Sequence, residues 1–184
     1  MAARAERLLE RGRPVAFADP QTPLMGWTSW NACGSYLSQD FVRRNARELV
    51  KRGFAARGYS YVNIDDYWQN HQGDPNSATD IKGPMRHADG TVVVNRRFPD
   101  MKGLADYVHS LGLKIGLYSS PGPHTCGRCA GSWMHEAQDA AQFAKWGFDY
   151  PKYDWCFYKT KSFGDNHSRW YLPYRLMGEA LKAQ

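Results

Sequence analysis

Ala144-Lys145-Trp146-Gly147-Phe148-Asp149-Tyr150-Pro151-Lys152-Tyr153-Asp154-Trp155-Cys156 reads as a helix end, a glycine stop and the start of a strand. Successive side chains of a strand point to opposite faces. Lys152, Asp154 and Cys156 are therefore expected on one face, with Tyr153 and Trp155 on the other. Unpaired charges on a buried sheet face cost on the order of several kcal/mol. The row of ammonium, carboxylate and thiol is thus either an ion pair at a strand end or part of a working site.

Working back from this stretch, Ser132 to Trp146 reads as a helix, and Ser119 to Ser132 as a loop rich in glycine and proline. Leu113 to Tyr118 is a strand with Lys114, Gly116 and Tyr118 on one face. Asp100 to about Leu111 is a helix with Met101, Leu104, Val108 and Leu111 on one side. Tyr67 to Pro99 is a long loop, and loops of that length are usually functional or disordered. Tyr59 to Asp65 is a strand that ends in the adjacent carboxylates Asp65 and Asp66. Ser38 caps a helix that carries Phe41, Val42, Leu49 and Val50 at helical spacing and stops at Gly53. Met25-Gly26-Trp27 is a short strand, followed by the polar, aromatic loop Thr28-Ser29-Trp30-Asn31. Residues 1–21 read as a short charged helix and linker, and Trp170 to Lys182 as a further helix.

The order is βα four times over. Such alternation means an α/β fold with parallel strands joined by right-handed crossovers. The polar clusters all follow strands: Trp30, then Asp65-Asp66, then Tyr118 with Cys126, then Asp154 with Cys156. Catalytic groups of a (β/α)8 TIM barrel sit where the strands end. A doubly wound sheet obeys a similar rule, but no Gly-rich phosphate loop follows the first strand. The expected fold is therefore a (β/α)8 barrel, with only about its first four βα units in residues 22–184.

Composition narrows the classes. The net charge is +6, yet Lys and Arg are scattered apart from Arg4, Arg7, Arg11 and Arg13. No nucleic-acid motif accompanies them, so no nucleic-acid partner is expected. No apolar run reaches the roughly 20 residues that cross a bilayer, and the first 20 residues hold no signal-peptide core. Cys126 and Cys129 form a C-x-x-C. Taken alone it leaves three options open: a zinc site, a redox pair or a disulfide.

Five motifs occur in register. They are Met25-Gly26-Trp27-Thr28-Ser29-Trp30-Asn31, Asn63-Ile64-Asp65-Asp66-Tyr67-Trp68, Gly116-Leu117-Tyr118, Thr125-Cys126 with Gly131-Ser132, and Lys152-Tyr153-Asp154-Trp155-Cys156. Together they resemble the α-galactosidase (melibiase) family of retaining glycoside hydrolases over roughly residues 22–158. The resemblance implies that Asp154 is the nucleophile attacking the anomeric carbon. Lys152 would hydrogen-bond sugar hydroxyls and hold Asp154 in its charged form. Asp65 and Asp66 would accept hydrogen bonds from O4 and O6 of galactose, Trp30 would lie against the sugar's apolar patch, and Tyr118 would line the pocket. Cys126 and Cys156 would form a disulfide beside the site. The implied substrate is an α-galactoside or its oligosaccharide, with no cofactor and no metal.

The chain also departs from that pattern. No acid/base carboxyl appears in the motif order; Asp149, Asp165 and Glu179 are the nearest carboxylates and none sits at the right point. The acid/base is therefore expected beyond Gln184, and the isolated chain is expected to be inactive. Pro151 stands where the family more often has an aliphatic residue, and a strand proline forfeits a ladder hydrogen bond. Tyr67 stands where some relatives carry a second disulfide cysteine. The alternatives are an α-N-acetylgalactosaminidase or a β-L-arabinopyranosidase of the same family, a non-catalytic galactose-binding fragment, or a C-x-x-C redox or zinc protein. The implied disulfide favours a secreted, periplasmic or lysosome-like compartment.

Overall fold

The computed structural model describes residues 23–73, 79–158 and 168–184; the expected 1–21 extension, with its run of arginines, and Asp165 lie outside these. Among these described residues, four strands form one sheet: β1 (Gly26–Thr28), β2 (Tyr61–Ile64), β3 (Lys114–Ser119) and β4 (Tyr150–Tyr153). Their spatial order is β1-β2-β3-β4, and every neighbouring pair is parallel. Strands that follow one another in both sequence and space, each joined by a helical crossover, make consecutive βα units of a barrel. A doubly wound sheet would reverse its order at a switch point.

Among the described residues, five α-helices connect or follow the strands: α1 (Trp30–Cys33), α2 (Gln39–Lys51), α3 (Met101–Ser110), α4 (Glu136–Trp146) and α5 (Ser168–Lys182). Their ends are chemically marked. Ser38 Oγ accepts from the Phe41 N–H at the start of α2, and the Asp100 carboxylate accepts from the Gly103 N–H at the start of α3. Gly147 closes α4 in the left-handed conformation, with φ 85°. The expected helix from Ser132 begins only at Glu136, because Ser132 to His135 make a turn instead. Trp30, expected in a loop, opens the short α1.

The pleat divides the sheet into two chemistries. Trp27, Val62, Ile64, Ile115 and Leu117 point to the helices, where they join Val42, Ala46, Leu104, Ala105, Val108 and Phe143 in one apolar core. The register Thr28↔Asn63↔Gly116 and Tyr118↔Lys152 sets the opposite, inner row, which is polar and aromatic. Pro151 lies opposite Leu117 and the strand continues through it. Tyr153 and Trp155 both meet Tyr174 of α5, on the outer side as expected.

The excursion between β2 and α3, read from the sequence as a loop, is folded where described. Trp68, Ile81, Val92 and Phe98 are buried in it. Isolated bridges join Gln69 to Val94, Arg86 to Val92 and His71 to both Lys82 and Cys129. The Arg86 guanidinium grips the Asp139 carboxylate of α4 with both terminal nitrogens, at 2.7 and 2.8 Å, and also donates to Gly131 O and Gly90 O. One side chain thus ties the excursion to α4 and to the loop after β3.

Candidate active site

Residues just past the ends of β1 to β4 meet at one end of the sheet. Ser29, buried, places its Oγ 2.9 Å from the Asp65 N–H and accepts from it, which turns the chain as β2 ends. That turn lets both adjacent carboxylates leave solvent: Asp65 and Asp66 are 3% and 2% exposed. Asp65 Oδ2 accepts from Lys152 Nζ at 2.7 Å and from Thr28 Oγ1 at 3.4 Å. Asp66 uses both oxygens on backbone donors, Gly127 N–H at 2.6 Å and Tyr67 N–H at 2.9 Å. Burial pushes the Asp66 carboxyl above its ordinary range despite those two donors.

Asp154 lies past the end of β4, and its N–H donates to Ser119 O. The strand alternation expected for Lys152, Asp154 and Cys156 therefore stops at Tyr153. Asp154 Oδ1 accepts from the Trp155 N–H at 2.9 Å, and Oδ2 accepts from the Tyr118 hydroxyl at 3.0 Å. Burial, with the charges of Asp66, Asp154 and Asp65 nearby, pushes the Tyr118 phenol up. It therefore stays a protonated donor to Asp154 at ordinary pH. The Tyr118 ring also carries the Lys152 ammonium 4.9 Å from its centroid, and the Tyr118 carbonyl accepts from the buried Trp68 Nε1 at 2.9 Å.

One expectation is corrected here. The ion pair of Lys152 is with Asp65, two strands away, and not with Asp154 on its own strand. The lysine stem starts on the inner row of β4, opposite Tyr118, and its ammonium lies over the Tyr118 ring as it reaches Asp65. The disulfide is the expected one: Cys126 is bonded to Cys156, and Cys129, left open by the C-x-x-C spacing, is a buried free thiol pushed up by burial and by Asp66. Cys126, Asp154 and Cys156 stand close together, but disulfide sulfurs are not thiolate ligands, so this is not a metal cage. Asp149 is at the opposite end of β3, bound to the Ile115 N–H and His109, and Glu179 pairs with Arg175 on α5.

The structure therefore gathers Trp30, Asp65, Asp66, Tyr118, Cys126, Lys152, Asp154 and Cys156 around one cup. Sequence reasoning missed Thr28, Ser29 and Gly127, which brace the carboxylates, and Tyr67, whose ring is stacked on Trp30. Gly127 carried a weak signal: a Cβ there would run into the Tyr67 ring and the Asp66 carboxylate. Chemically, the cup offers an ammonium, carboxylate acceptors and an indole that is 45% exposed. That set suits a neutral ring bearing several hydroxyl groups, with one carboxylate held by a hydroxyl donor rather than an ion pair.

Fold and site together define a class: the first βα units of a (β/α)8 barrel with a carboxylate cup at its C-terminal face. The chain belongs to the family described as Alpha galactosidase A, whose model matches residues 22–183. It is 44% identical over 164 residues to the alpha-galactosidase of Cyamopsis tetragonoloba, covering 88% of this chain and 35% of that one. It is 45% identical over 137 residues to alpha-galactosidase A of Cellvibrio japonicus, covering 74% and 31%. Among solved structures, alpha-galactosidase I from Mortierella vinacea superposes with a TM-score of 0.76 at 36% identity, over 88% of this chain and 38% of the other. The Saccharomyces cerevisiae enzyme solved with raffinose gives a TM-score of 0.76 at 31% identity, over 88% and 33%. The chain spans about a third of the length of the curated relatives it matches.

Proposed function

We propose that this chain supplies the galactose-binding cup and the nucleophile of a retaining α-galactosidase acting on α-galactosides and their oligosaccharides. The observation that carries the reading is the geometry of Asp154. It is the one cup carboxylate that bonds neither a cation nor two backbone donors, and Tyr118 O–H and Trp155 N–H fix its two oxygens. In the first half-reaction an Asp154 oxygen bonds to the anomeric carbon as the aglycone oxygen leaves with its electron pair. Water then displaces the Asp154 carboxylate from the anomeric carbon. Asp65, Asp66 and Lys152 hold the sugar hydroxyls, and Trp30 covers the apolar ring face.

Retaining chemistry needs a second carboxyl about 5–5.5 Å from the nucleophile to serve as acid and base. Asp65 and Asp66 are committed to Lys152 and to backbone donors, so the reading assigns that role to a residue outside this sequence. A (β/α)8 catalytic domain spanning 22–184 and continuing into further βα units belongs to the same proposal. The disulfide supports an oxidising compartment, secreted, periplasmic or lysosome-like. No helix among the described residues is long and apolar enough to cross a membrane. The α-N-acetylgalactosaminidase and β-L-arabinopyranosidase alternatives rest on likenesses of 20–23% identity, which bear on fold alone.

The test is covalent trapping. A 2-fluorinated α-galactosyl substrate with a leaving group that needs no acid should leave one glycosyl adduct on the peptide carrying Asp154, read by mass spectrometry. An adduct on Asp65 or Asp66, or equal labelling of Asp154→Asn, would refute the assignment.

A further inference from the structure

Trp30, Tyr67 and His71 form a run of nearly parallel rings at the rim of the cup. Trp30 and Tyr67 lie 6.2 Å apart between centroids at 15°, and Tyr67 and His71 lie 6.3 Å apart at 6°. The two ends of the run differ. His71 is buried and tied down: its backbone bridges to Lys82 and Cys129, and its Nδ1 accepts from the Gly73 N–H at 3.0 Å. Trp30 is 45% exposed, and it sits on the four-residue α1, which has no buried residue of its own.

Tyr67 is the middle ring, and its placement is demanding. It holds a φ of 73°, in the left-handed region that a bulky residue rarely occupies. The conformation follows two constraints. The Tyr67 N–H is turned onto Asp66 Oδ1, while its carbonyl accepts from Asn95 Nδ2 at 2.7 Å. The ring's edge rests against Gly127, where a Cβ would collide with it. The residue that follows the two buried carboxylates is thus locked by the cup on one side and by His71 on the other, and it lends that rigidity to Trp30.

We infer that Tyr67 is a positioning residue for sugar binding, which sets the plane of the Trp30 indole over the carboxylate cup by stacking. The inference rests on the proposed role of Trp30 in covering the sugar ring. Its stacking on His71 joins the exposed indole to the buried side of the cup. A stacked aromatic pair has strength corresponding to roughly a three- to tenfold change in an equilibrium, so loss of the stack should weaken sugar binding by that factor.

The experiment uses the whole chain with 5-fluorotryptophan in place of tryptophan. The fluorine resonance of Trp30 is identified by its loss in Trp30→Phe, and methyl α-D-galactopyranoside binding is measured by calorimetry. Tyr67→Phe, which keeps the ring, should leave the Trp30 resonance in place. Tyr67→Leu, which keeps apolar bulk, and Tyr67→Ala should both move the Trp30 resonance and weaken binding roughly three- to tenfold. The inference is overturned if Tyr67→Leu leaves the Trp30 resonance in place, or if it moves that resonance with no change in affinity while Trp30→Ala abolishes binding. Absence of galactoside binding by the parent chain would instead count against the cup reading. The Trp30 resonance in Tyr67→Phe and Tyr67→Leu still decides whether the stack holds the indole.

Discussion

Replacing Arg86 by methionine removes the clamp that joins three parts of the chain. Arg86 and Asp139 side chains are 16% and 1% exposed, and the pair is bidentate at 2.7 and 2.8 Å. Deleting one partner of a buried pair leaves an uncompensated charge and costs about 3–5 kcal/mol. Gly131 O and Gly90 O also lose their donor, at about 1 kcal/mol each where water cannot replace it. For a chain of this size a loss of 3–5 kcal/mol lowers the melting temperature by about 6–20 °C. Arg86→Met with Asp139→Leu removes both charges and should recover the charge term of about 3–5 kcal/mol, leaving about 2 kcal/mol for the two carbonyls. Urea unfolding of the parent, both single variants and the double variant gives the cycle directly. A loss below about 1 kcal/mol in Arg86→Met, or a double variant no better than the single, would refute the buried-charge argument.

Further outcomes follow from the cup. Asp66 has a folded-state pKa raised by burial. Its contribution to stability is therefore complete below the unfolded carboxyl's value and is lost as pH rises through the folded one; the stability difference between the parent and Asp66→Asn should shrink over that window in pH-resolved melting, and a difference that grows with pH would contradict it. The Cys126–Cys156 bridge spans a sequence separation of 30, for which chain entropy gives about 3–4 kcal/mol; reductant should lower the stability of the parent by that amount and leave Cys126→Ser/Cys156→Ser unchanged. Gly127→Ala places a methyl against the Asp66 carboxylate and the Tyr67 ring; galactoside affinity should fall at least tenfold in calorimetry, and an unchanged affinity would show that this wall of the cup yields. Lys152→Met leaves Asp65 with Thr28 Oγ1 as its remaining side-chain donor; affinity should fall by about tenfold, measured the same way.

Much of this was legible in the residues. Ser38, Asp100 and Gly147 mark helix ends because capping depends on local donors and acceptors, which sequence spacing controls. The barrel order was legible because alternating βα units leave few topologies. What escaped was tertiary. Face alternation placed Lys152 beside Asp154, but it holds only while the strand lasts, and β4 stops at Tyr153. The partner of Lys152 is set by the register of three strands, which nothing local encodes. The excursion from Tyr67 to Pro99 looked unstructured because its order comes from isolated bridges and from Arg86, not from a hydrophobic period. The disulfide came from family resemblance alone, since the C-x-x-C spacing by itself left a zinc site, a redox pair and a disulfide open.

Lys152 and Asp65 are 87 residues apart, and Ser29 reaches Asp65 across 36. Contacts of such long span close late in folding, after the local helices and turns. The proposed cup is then a gauge of whether the whole sheet has assembled. A chain with native helix content but a misplaced fourth strand would look folded by circular dichroism and still lack the Lys152–Asp65 pair.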